Sequence, residues 1–168
     1  DNVIMCATEE MGSACAATFA TLTRNKLLTG TNVMYCQKTT DNGNTEGEAV
    51  TSRTALDNTC ILTPREVSRA STILAKNKAP KINGYYVAII HPSVMDDLRN
   101  TKAWEDYHKH NDTAPIFKGE IGELHGVKFI SGVEAKVYKE TTKPATYATL
   151  FLGKDAFGIV EPKGEGTE

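Results

Sequence analysis

An excess of charge of either sign is what this chain lacks most clearly: 19 basic side chains stand against 21 acidic ones in 168 residues, for a net charge of -2. The two signs are interspersed along the sequence, so a broad non-specific nucleic-acid surface has no electrostatic support. Long apolar runs are missing too. The longest, Tyr85 to Ile90, is far too short to span a bilayer as a helix. Cysteine is sparse, with Cys6, Cys15, Cys36 and Cys60 forming no C-x-x-C pair, which excludes a zinc ribbon. Neither an initiator Met nor a basic-then-apolar leader precedes Asp1-Asn2-Val3, which points to a processed chain or, preferably, an excised piece of something longer.

What remains is globular. Hydrophobic residues make up 40% of the chain and charged residues 24%, with a mean hydropathy of -0.34, and 168 residues suit one core rather than two. From Ile4 to Leu28 the apolar residues Ile4, Met11, Cys15, Phe19 and Leu22 recur near helical spacing and predict a long amphipathic helix closed by Gly30. On that reading Cys6 and Cys15 are small core residues, reduced rather than bridged, in a reducing compartment. Asn32 to Tyr35 reads as a short strand, and Thr39 to Asn58 as a mobile hairpin or loop around the turn signal Asn42-Gly43.

Leu62-Thr63-Pro64-Arg65-Glu66-Val67 carries several helix-start devices together. Thr63 can cap free amides, Pro64 needs no N–H at the first helical position, Glu66 can reach back to complete a capping box, and Leu62 and Val67 can form a staple. This helix runs through Ala70, Ile73 and Leu74 and must stop by Pro80. Gly84 to Ile90, β-branched and aromatic without polar alternation, predicts a central strand covered on both faces. A short helix opened by Pro92 and another around Trp104 and Tyr107 follow. Strands are then expected at Ile116-Phe117, at Val127 and Phe129 after a turn region from Gly119 to Gly126, at Val133, Ala135 and Val137, at Tyr147 to Leu152, and at Phe157 to Val160. With no βαβ rhythm, the class is α+β.

Candidate chemistry is thin. His91 with Asp96 and Asp97 could be a base and two carboxylates at a strand end. The plainer reading has His91 satisfying backbone groups at the strand-to-helix turn and the aspartates in the first turns of the next helix. His108 and His110, with Asp106 and Asp112, are metal-ligand residue types, yet on a helix two residues apart they point about 200° from each other. Gly119, Gly122, Gly126 and Gly132 form no phosphate-binding pattern and read as hairpin glycines, with His125-Gly126 in a tight turn. No catalytic, cofactor-binding or metal residue is assigned.

The blocks Leu27-Leu28-Thr29-Gly30-Thr31-Asn32-Val33-Met34-Tyr35, Leu62-Thr63-Pro64, Asn77 to Pro92, Asp97-Leu98, Trp104 and Gly119 to Phe129, in this order, resemble the major capsid proteins of tailed bacteriophages, in particular the branch of the N-four-type podophages. The resemblance implies the phage and herpesvirus capsid fold. Residues 1–36 would be the spine helix and following strand of a peripheral domain, 37–62 a flexible loop or hairpin, and 63–168 an axial-type domain with returning strands. Family members carry an N-terminal arm and an extended loop ahead of the spine helix, which this sequence does not include. The resemblance further implies a phage or prophage structural protein, not an enzyme. It would self-associate into an icosahedral virion shell assembled in the host cytoplasm, with scaffold or decoration proteins as possible partners, and enclose DNA without sequence-specific binding. The competing class is a small α+β enzyme or metal-binding domain centred on His91 or on His108 and His110.

Overall fold

The computed structural model describes residues 2–110 and 120–159. Helix α1 spans Asn2–Leu27, a stretch rich in alanine and free of proline, with Arg24 and Lys26 complementing the dipole in its last turn. Leu28 N–H donates to the Arg24 carbonyl at 3.0 Å and Gly30 N–H to the Leu27 carbonyl at 3.3 Å, so the helix ends just before Gly30 as expected, although Gly30 does not take the left-handed conformation that would close it. Its apolar stripe, however, is not a core face. Ile4 is 73% exposed and Met11 74%, and Cys6 and Cys15 are exposed as well, because among the described residues nothing covers the first four turns. The expectation of two core cysteines there is overturned.

The strand expected over Asn32 to Tyr35 does not form, since among the described residues no strand offers it a ladder, and Val33 is exposed. Pairing starts later, in a hairpin of β1 (Thr39–Thr40) and β2 (Thr45–Glu46). Asp41, Asn42 and Gly43 all adopt positive φ in its turn, as the Asn-Gly signal required. A 3-10 turn at Arg53–Ala55 leads to α2, Pro64–Lys76.

Thr63 caps α2 as its sequence predicts: its Oγ1 accepts from Glu66 N–H at 3.3 Å. The reciprocal half of the capping box is absent. The Glu66 carboxylate, buried with the cap, accepts instead from Gln37 N–H at 3.2 Å and Arg69 Nη1 at 2.8 Å, because the chain leading into the hairpin brings an unpaired amide to it.

The main sheet has the order β4-β5-β3-β8, from β3 (Tyr86–Ile90), β4 (Glu120–Leu124), β5 (Val127–Ser131) and β8 (Leu150–Leu152). β3 runs parallel to β5 and antiparallel to β8, so it is interior, as expected. Its two faces differ. Tyr86, Ala88 and Ile90 are buried beneath α2, α3 (Pro92–Arg99) and α4 (Lys102–His110), together with Val67, Met95, Leu98 and Trp104, whereas Val87 and Ile89 on the other face are only half-buried. Trp104 meets Phe129 edge-on at 6.3 Å between centroids, the geometry favoured by opposing ring quadrupoles.

β4 and β5 form a hairpin whose tight turn is His125-Gly126, at φ 51° and 73°. The alternation at Val133, Ala135 and Val137 is strand only from Val137, since Ala135 N–H closes a turn onto Gly132 at 3.2 Å. The run Tyr147 to Leu152 is divided between sheets: β7 (Lys143–Tyr147) pairs with β6 (Val137–Glu140), and β8 pairs with β3. Phe157 to Ile159 is not a strand. Ile116, Phe117, Gly119 and Val160 lie outside the described residues.

Candidate functional site

His91 sits at the N-cap of α3, where its Nδ1 accepts from Ser93 N–H at 3.1 Å while its ring leans on Tyr147 at 4.7 Å. That is a capping role, with the nitrogen lone pair committed to a backbone amide. Asp96 and Asp97 lie in the second half of α3, not in its first turns, so the dipole gives them no support. Asp97 is held above the ordinary carboxylate range by partial burial and, secondarily, by the Asp96 charge beside it.

His108 and His110 fall two residues apart in the last turn of α4; Asp112 lies outside the described residues. No three His, Cys, Asp or Glu gather into a ligand set among the described residues. Gly122 adopts φ 113° where the β4–β5 register slips between Glu120 and Glu123, and Gly132 follows the end of β5.

The remaining cysteines are poor nucleophiles. Burial, reinforced by the Glu66 charge, pushes the Cys36 thiol up to about 12. Burial also raises Cys60, whose Sγ donates to Asp57 Oδ1 at 3.6 Å. A thiol of that kind is almost entirely protonated at neutral pH.

The prominent concave feature is apolar. A groove of about 310 Å³ lies between the last turns of α1, through Phe19 and Leu27, and the half-buried sheet face, through Ile89, Leu150 and Leu152, with Phe157 at its rim. Arg24 Nη1 donates to the Glu134 carbonyl at 2.6 Å and ties the two walls. From this groove the apolar side chains of α1 continue outward over Leu22, Met11 and Ile4, all exposed. Sequence reasoning placed this stripe but assigned it to the core. The sequence predicts a cover on both faces of β3, and it is the last turns of α1 that lie over the second one, across the groove from Ile89.

Among the described residues, then, His91 is spent on a helix cap, the thiols of Cys36 and Cys60 are raised, and α1 displays an apolar stripe. The model of the phage capsid protein family matches residues 5–160, and the chain belongs to that family. It is a bacteriophage structural protein of the capsid. A solved structure, the capsid of Ralstonia phage GP4, is similar over 62% of this chain and 34% of its own, with 22% identity and a TM-score of 0.44. This chain thus spans about a third of that subunit. No curated protein matches it.

Proposed function

We propose that this chain is part of a major capsid subunit that self-associates into the icosahedral shell of a tailed phage. The carrying observation is α1, a 26-residue helix whose exposed Val3, Ile4, Met5, Met11, Phe19 and Leu22 make a surface that water solvates poorly and a neighbouring subunit would cover. In this reading residues 1–36 carry the spine helix of a peripheral domain, 37–62 the connecting hairpin, and 63–168 the axial-type unit around β3. The resemblance of its sequence blocks to N-four-type podophage coats supports placement in that branch. The shell would assemble in the bacterial cytoplasm with scaffold or decoration proteins and enclose DNA through non-specific contacts.

The test is to express the intact coat protein with its neighbouring head genes and examine the product by light scattering and negative-stain microscopy. Closed shells are expected. An intact protein that never assembles under any condition refutes the reading. The 168-residue chain alone should remain a monomer or weak small oligomer, because durable interfaces need more than about 1,000 Å².

A further inference from the structure

The near-neutral total conceals two charged ends. At one end Lys76 closes α2, Lys78 and Lys81 follow it, and three further segments converge on them. Lys154 N–H donates to the Pro80 carbonyl at 2.8 Å, Lys81 Nζ lies 5.4 Å from the Tyr86 ring, and Lys128 Nζ stands 4.8 Å over the Tyr85 ring. Two acids share this end, Glu123 opposite Lys128 in the β4–β5 register and Asp155 beside Lys154. Among the described residues the ion pairs are Lys38 with Asp57, Arg65 with Glu46 and Arg69 with Glu66, so none of the five lysines is in one.

The other end surrounds Thr101. A Cβ at Gly43 would lie 3.1 Å from Thr63 and 3.2 Å from Thr101, which puts Thr101 beside the N-terminus of α2. Asp96 and Asp97 precede Thr101 within α3, Glu105 and Asp106 follow it in α4, and Asp41 is joined to it through Asn44, which donates to the Asp41 carbonyl and accepts from Lys102 N–H. The cations there are Arg99, Lys102 and Arg65, the last at the start of α2 and paired with Glu46 at 3.0 Å. The 13 residues of α2 separate the two ends by about 20 Å. That exceeds the Debye length of about 8 Å at physiological ionic strength, so the ends do not neutralise each other within one molecule.

We propose that copies of this chain associate head to tail, the lysine end of one against the acidic end of the next. A contact between two different patches of the same chain generates rings when its rotation closes, which is what a capsomer requires. Two lysine heads held over tyrosine rings lose less freedom on docking than unsupported ones. The inference rests on the shell-building reading and names the contact that reading leaves open.

The test uses sedimentation velocity on the 168-residue chain at submillimolar concentration, in low and high salt, with circular dichroism confirming that each variant is folded. Lys81→Glu with Lys154→Glu makes both ends acidic; Asp96→Lys with Asp97→Lys makes both basic. All four side chains are exposed. Each double variant alone should associate about tenfold or more weakly than the parent, the equimolar mixture should recover association, and high salt should weaken the parent and the mixture alike. Self-association of the parent that ignores the reversals overturns this inference and leaves shell building intact, whereas an intact coat protein that forms no shells overturns the parent reading on its own. A parent that stays monomeric at every concentration and salt overturns the inference. So does a lysine variant that loses salt-dependent binding to a short DNA duplex while self-associating normally, which would assign the lysines to phosphates.

Discussion

Removing the hydroxyl of Thr63 should cost stability that can be divided between its two functions. Its Oγ1 accepts from Glu66 N–H at 3.3 Å, the long end of the hydrogen-bond range, which argues for a modest bond. The residue is also buried, at 3% exposure, so that once the acceptor is gone the amide cannot turn to water, which argues for a larger loss. Loss of an N-cap costs about 0.5–2 kcal/mol, and we expect about 1 here. Its Cγ2 methyl packs in the junction of the hairpin, α2 and Thr101, 3.1 Å from where a Cβ at Gly43 would stand. Deleting it adds about 0.8 kcal/mol.

Thr63→Ala should therefore lose about 2 kcal/mol, a fall in Tm of about 4–8 °C for a chain of this size. Thr63→Val keeps the shape and loses the cap, while Thr63→Ser keeps the cap and loses the methyl. Chemical denaturation of the three variants against the parent measures both parts. If Thr63→Val unfolds at the same midpoint as the parent, the capping argument is wrong.

Two further outcomes follow from burial. Cys36 is held up to about 12, by burial first, from an unfolded value near 9.0. The folded state therefore keeps a proton that the unfolded state releases above pH 9.0, and stability should fall as pH rises from there toward 12 by up to about 1.4 kcal/mol per unit. Cys36→Ala should flatten that slope relative to the parent in denaturant titrations, and alkylation at neutral pH should label exposed Cys6 and Cys15 long before Cys36. At Gly153 an added Cβ would lie 2.9 Å from the Pro80 carbonyl, a backbone atom already bonded to Lys154 N–H. Gly153→Ala should cost about 1–3 kcal/mol, and an unchanged denaturation midpoint would show that this strand end shifts freely.

The elements legible in advance were those fixed by near neighbours. The start of α2 was written in Thr63-Pro64, the His125-Gly126 turn in its dipeptide, the interior strand in Tyr86 to Ile90, and the role of His91 in the proline after it. What misled was burial. The spacing of Ile4, Met11, Cys15 and Phe19 is correct for a helix, yet periodicity cannot say whether anything packs on the stripe, and Cys6 and Cys15 were placed inside when they stand outside. The run Asn32 to Tyr35 has strand composition, but a strand exists only beside another.

The sequence by itself determined where helices begin and turns fall, since caps, prolines and positive-φ residues act within a few residues of backbone. It also carried the family resemblance in the order of its blocks. Tertiary structure alone decided that Glu66 leaves its capping box for the Gln37 amide, that one apolar run serves two sheets, and that α1 displays its stripe to solvent. It also gathered lysines at 76, 78, 81, 128 and 154 at one end and five acids at the other. Each of these depends on which distant segment arrives beside a residue, and a near-zero net charge averages over the three-dimensional separation on which an electrostatic contact acts.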